Sequence, residues 1–147
     1  MKKLFSILVI GSVLTLSIAW TARAQEPGTV IRASIPFDFI VRGRTLPAGR
    51  YEISRISDEP IGLLIRNLGD KRDKAVFETE PIYIRTTTSK DELVFHRYGD
   101  SYFLSEIVTA GEDRGEELAP SHAERKLRSE VARNQITEPE TVTLALN

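Results

Sequence analysis

From residue 30 onward the apolar positions come in short runs, many of them alternating with polar ones, and turn residues interrupt them about every ten positions. That is the rhythm of an all-β sandwich or barrel, since a βαβ chain would interpose longer stretches of helical periodicity. The clearest run is Leu93 to Val108, LVFHRYGDSYFLSEIV, which predicts a β-hairpin closed by Gly99-Asp100. With that loop Tyr98 faces Ser101, Arg97 faces Tyr102, His96 faces Phe103 and Phe95 faces Leu104. Strict alternation then puts Leu93, Phe95, Tyr102, Leu104 and Val108 on one face, and Val94, His96, Tyr98, Phe103 and Ile107 on the other. Both faces are largely apolar, as a central pair covered on both sides requires.

The other elements are placed around this hairpin. A first strand starts at Thr29 to Ser34 and runs on, extended, through Ile35 to Val41, with Pro36 confining that part to a strand start or an edge. Arg42-Gly43-Arg44 and Leu46 to Gly49 are turns, and Arg50 to Ile56 is a strand with Tyr51 and Ile53 inward. Asp58-Glu59-Pro60 ends it by turn chemistry. Ile61 to Asn67 is a short apolar strand followed by a charged turn, Leu68 to Lys74. Ala75 to Thr79 and Pro81 to Thr86 read as two short strands or one bent strand. Gly111 to Glu117 reads as an acidic loop. The only helix signal is Ser121 with Glu124, a capping box, followed by Ala123, Leu127 and Val131 at four-residue spacing. It predicts a peripheral helix over about 121–133. Thr141 to Leu146 alternates and reads as a last strand or a frayed tail. The expected fold is therefore an antiparallel β-sandwich or flattened barrel with one short C-terminal helix.

The start of the chain changes the count. Met1-Lys2-Lys3 is basic, Leu4 to Ala19 is almost unbroken apolar sequence, and Ala22-Arg23-Ala24 is a small-x-small cleavage site. This is the pattern of a secretory signal peptide over residues 1–24, cleaved before Gln25. The apolar run is shorter than the roughly 20 residues a bilayer core needs, so a retained anchor is the weaker reading. A single β-rich domain is expected over 25–147, periplasmic or extracellular in a bacterium, with no stable membrane anchor after cleavage. The chain has no cysteine, so packing rather than disulfides must hold it.

Removal of Lys2, Lys3 and Arg23 leaves 17 basic against 21 acidic residues, a net charge of −4. Mild acidity argues against a nucleic-acid partner, which needs a basic stripe to meet phosphates.

Ile35 to Ile53 (IPFDFIVRGRTLPAGRYEI) and Leu93 to Ile107 (LVFHRYGDSYFLSEI), followed by Leu118-Ala119-Pro120-Ser121 and the Glu124-Arg125 helix start, together resemble a family of small exported bacterial proteins of the acidobacterial type, of unassigned function. The resemblance implies export and brings no catalytic residue with it. The first stretch alone is similar to hairpins in many extracytoplasmic β-sandwich modules, a likeness shared by unrelated folds.

Little in the sequence carries chemistry. There are two histidines and no cysteine, so neither a three-histidine nor a cysteine-based zinc site can form. His96 is the one candidate for a metal ligand or catalytic base, against the ordinary reading of a packed strand histidine; His122 belongs on an exposed helix turn. A Ser-His-Asp set assembles on paper from Ser101 or Ser105, His96 and Asp100. Strict hairpin register opposes it, with Ser105 diagonal to His96 across Phe103. The acidic pairs Asp58-Glu59, Asp91-Glu92, Glu112-Asp113 and Glu116-Glu117 are adjacent, so extended backbone points their carboxylates apart. The aromatics are expected to be core, with a ligand-lined barrel interior as the sharper alternative. No cofactor is expected. Three functions are carried forward: a non-enzymatic exported module that binds or associates in the cell envelope, a carrier of a small apolar ligand, and a hydrolase or metal site using His96. The corresponding partners are an unknown envelope protein or a small apolar ligand.

Overall fold

The computed structural model describes residues 30–58, 61–134 and 139–146. The leader expected over residues 1–24, its cleavage site and Glu59-Pro60 lie outside the described residues. The elements are β1 (Val30–Ile35), β2 (Phe39–Val41), β3 (Arg44–Leu46), β4 (Gly49–Ser57), β5 (Ile61–Asn67), β6 (Lys74–Tyr83), β7 (Glu92–Tyr98), β8 (Ser101–Val108), β9 (Arg114–Glu117), α1 (His122–Asn134) and β10 (Glu140–Ala145). The fold is all-β with one C-terminal helix, as the spacing of apolar residues predicts.

The strands follow the path β1-β4-β5-β6-β9-β8-β2-β3, with β7 on β8 and β10 on β7, and the path does not close into a barrel. All the pairings are antiparallel except one, where β2 meets β8 in parallel at Ile40 and Phe103. β6 joins the two halves: Lys74 to Thr79 pair with β5, and Glu80 to Tyr83 pair with β9. The switch falls between Thr79 and Glu80, one residue before Pro81, which lacks the N–H that an uninterrupted ladder would use.

The two halves share one core. Phe39 sits edge-to-face on Tyr51 of β4, ring centroids 5.1 Å apart, and on Phe95 of β7 at 5.8 Å. All three rings are fully buried, and Phe37 adds an edge contact to Phe95 and a stacked contact to Tyr102. Around them pack Ile35, Leu46, Ile53, Ile65 and Leu93. The Tyr51 hydroxyl donates to Pro47 O at 2.6 Å, and burial raises its pKa.

The hairpin has the expected register from Phe95–Leu104 to Tyr98–Ser101, with Gly99 at φ 61° in the turn. Below that the register shifts: Val94 pairs with Glu106, leaving Ser105 as an extra residue in a β-bulge. The bulge reverses the faces beyond it. Ile107 joins Leu93, Phe95 and Leu104 in the main core, while Val108, assigned to the core face by strict alternation, is buried outside it.

Two further departures have local causes. Pro36 to Asp38 interrupt the extended run after Ile35, and Asp38 Oδ1 accepts from Ala48 N–H at 2.8 Å, so the N-terminal run divides into β1 and β2. The acidic loop expected over Gly111 to Glu117 contains β9, wedged between β6 and β8. Arg114-Gly115-Glu116-Glu117 has no β-propensity to announce a strand. Gly115 admits it there, because a Cβ at that position would lie 3.0 Å from Ile84 Cδ1 and 3.2 Å from Ile107 O.

Gly115→Ala should therefore destabilise the fold by about 1–3 kcal/mol, because the Ile107 carbonyl belongs to the backbone of β8 and cannot swing aside. Urea unfolding of the two proteins measures it; equal midpoints would contradict this account of β9.

Candidate functional site

The bulged residue itself carries a polar side chain. Ser105 lies on the outer face that His96 and Phe103 share, and its hydroxyl lies 3.3 Å from His96 Nε2. The other ring nitrogen, Nδ1, lies 2.9 Å from Glu124 Oε1 at the start of α1. An ionised carboxylate only accepts, so Nδ1 carries the proton and donates to Glu124, while Nε2 accepts from Ser105. Ser105 thus meets His96 after all, and the third member is Glu124 rather than Asp100. Asp100 and Ser101 stay at the hairpin tip, and His122 is exposed.

Glu124 was legible only as a helix cap. Its backbone N–H does donate to Ser121 Oγ at 3.1 Å, the first half of a capping box. Its side chain reaches the sheet. The first turns of α1 meet the outer face of the hairpin at His96 and Tyr98, a face on which Val94, Tyr98, Phe103 and Val108 are buried outside the main core. Tyr98 and Phe103 meet edge-to-face at 5.7 Å, and burial followed by the nearby Glu124 charge raises the Tyr98 pKa. The helix brings little apolar surface, with Ala123 exposed and Leu127 and Val131 half-buried. The Ser105–His96–Glu124 relay is therefore its main polar attachment.

The relay has the connectivity of a nucleophilic triad, with its members unequally open to solvent. Ser105 is 4% exposed and Glu124 5%, while the His96 side chain is 28% exposed. The opening to solvent lies at the imidazole rather than at the serine oxygen. Among the described residues no buried side-chain polar atom lacks a hydrogen bond, and no three His, Cys, Asp or Glu side chains converge as a metal site needs.

The second feature is the outer face of the β1-β4-β5-β6 half. Arg32, Glu52, Arg66 and Lys74 lie directly opposite one another on β1, β4, β5 and β6. Glu52 accepts from Arg66 at 2.6 Å and from Arg32 at 3.4 Å, and the Arg66 hydrogen bond is the first cause of its lowered pKa. The next row carries Leu64 beside Val76, which is 63% exposed, and Ile56 nearby is 54% exposed. Ile56, Gly62, Val76 and the Arg42 turn line an open cleft of about 450 Å³.

One end of this face is basic. Asn67 Oδ1 accepts from the N–H groups of Gly69 and Asp70, fixing the β5–β6 turn with Lys71 and Arg72 outward. Arg44, beyond the Arg42-Gly43 turn, donates to Arg72 O at 3.1 Å and ties the two turns together. Both Arg42 and Gly43 have positive φ, 51° and 89°, as a two-residue type I′ hairpin demands. The aromatics are mostly core as expected; Tyr83, 80% exposed beneath the Arg114 guanidinium, is an exception.

Comparison with protein-family models, curated proteins and solved structures finds no match.

Glu124→Ala removes the buried carboxylate that ties α1 to His96 and should cost about 1–3 kcal/mol in urea unfolding, with loss of helical circular dichroism. Ser105→Ala should cost less, because half-open His96 can turn to water. The reverse order would overturn the attachment role. Asp70, hydrogen-bonded by the Arg72 guanidinium, has its pKa lowered to about 2. The pair is fully formed above the ordinary carboxylate range and is lost as pH falls through about 2. An NMR titration should find that midpoint, and Arg72→Ala should move it up toward the ordinary value.

Proposed function

We propose that this chain is an exported, non-enzymatic β-module that works by associating with another macromolecule in the cell envelope. The observation that carries the reading is the outer face of the β1-β4-β5-β6 half, where Ile56 and Val76 stand open beside a row of cations and a shallow cleft. Exposed apolar side chains grouped within a polar rim favour a protein contact over a small-molecule pocket. The leader pattern of residues 1–24 supports export. The carrier alternative has less support, since Phe39, Tyr51 and Phe95 occupy the interior that a ligand would need. The hydrolase alternative meets the buried Ser105 hydroxyl. The likeness to exported acidobacterial-type proteins agrees with this reading and adds no partner to it.

A photo-crosslinking residue at Val76, irradiated in intact cells, should yield a discrete adduct that the same residue at exposed Lys126 does not. No adduct from Val76, or the same adducts from both positions, would contradict the reading. Mass spectrometry of the recovered protein should give a chain beginning at Gln25; a retained leader would contradict export by cleavage.

A further inference from the structure

We infer that the occupant of this outer face is a second copy of the chain, which docks the carboxylate row of its β6-β9-β8 surface onto the cation row. The inference rests on the association reading above and names its partner.

The carboxylate row is Glu80, Glu117 and Glu106, directly opposite one another on β6, β9 and β8. Directly opposed residues share a face, and like charges so placed repel. Among the described residues none of the three makes an ion pair, although Glu80 and Glu117 are exposed and Glu106 half-buried. The fold therefore keeps an uncompensated repulsion that a cationic surface would relieve. The cation row has the opposite excess. Arg32 and Arg66 share the single carboxylate of Glu52, and Lys74 beside them has no ion-pair partner among the described residues. In a chain whose expected mature charge is −4, this basic face is a local reversal.

The geometry of the two rows agrees. Arg66 and Lys74 stand on adjacent strands about 4.8 Å apart, the spacing of neighbouring carboxylates in the other row, while Glu52 separates Arg32 from them. Each row also has an apolar neighbour two residues along on the same face: Val76 beside Lys74, and half-buried Ile82 beside Glu80. Cations can thus meet carboxylates while Val76 and Leu64 meet the Ile82 side. Within one molecule the rows cannot neutralise each other. Lys74 and Glu80 are six residues apart on β6, about 20 Å of extended strand, which is beyond the Debye length of about 8 Å at physiological ionic strength.

The test is sedimentation velocity on the full chain as the cell processes it. The wild type should associate with rising concentration at about 0.01 M salt and be monomeric at about 1 M, where the Debye length has shrunk from about 30 to about 3 Å. Lys71→Glu with Lys74→Glu, and separately Glu80→Lys with Glu117→Lys, should each be folded by circular dichroism and monomeric alone. Mixed, the two reversed proteins should associate again, because each then offers the charge the other now needs. A wild type that stays monomeric at both salts, variants that associate alone, or a mixture that stays monomeric would each overturn the inference. The Val76 crosslink separates the two levels of the argument. An adduct to a different protein, with a monomeric wild type, removes the second copy and leaves association standing. A monomeric wild type with no adduct removes both.

Discussion

A strand that alternates without interruption sends every second side chain to the same face, and one additional residue reverses that assignment for the rest of the strand. β8 contains such a residue at Ser105. Because of it Ile107, rather than Val108, closes the core beside Leu93, while Ser105 stays on the outer face next to His96. The outer face of the hairpin carries a hydroxyl, an imidazole and, from α1, a carboxylate, each satisfied by its neighbour. That polar attachment holds a helix with a narrow apolar stripe against His96 and Tyr98. One bulge thus decides that Ile107 enters the main core and Val108 the layer outside it.

The halves of the sheet are joined with similar economy. β6 pairs with β5 through Thr79 and with β9 from Glu80, and the change falls one residue before Pro81, which lacks a donor. At the junction Glu116 accepts from Arg55 of β4 and, at 3.4 Å, from the Thr79 hydroxyl, so an acidic strand is tied to the opposite half. Phe39, between Tyr51 and Phe95, fills the space enclosed. What is left outward is a surface divided by charge: cations with open apolar side chains on one half, a row of carboxylates on the other.

Much of this was legible in the sequence, and the misses share a cause. Turn residues at Gly99-Asp100 and Arg42-Gly43, and alternating runs at Arg50 to Ile56 and Thr141 to Leu146, locate their elements because the chemistry is local. Ser121 and Glu124 likewise locate the start of α1. The bulge at Ser105 and the strand at Arg114 to Glu117 are decided by partners distant in sequence. Nothing within Gly111 to Glu117 states that Gly115 must pass beneath Ile84 and against the Ile107 carbonyl. The relay was half-visible for the same reason. Ser105 and His96 were candidates, but strict register kept them apart, and Glu124 was read only as a cap. The opposed rows of charge follow from strand order, which alternation alone does not supply.

The relay is also where the non-enzymatic account is most exposed, since Ser105, His96 and Glu124 have the connectivity of a nucleophilic centre. The most direct measurement is intact-mass spectrometry after prolonged incubation with a fluorophosphonate, which reacts with activated serines. The account predicts an unmodified chain, because the Ser105 hydroxyl is committed to His96 beneath α1. A covalent adduct mapped to Ser105, and lost in His96→Ala, would contradict it and make this face an active site.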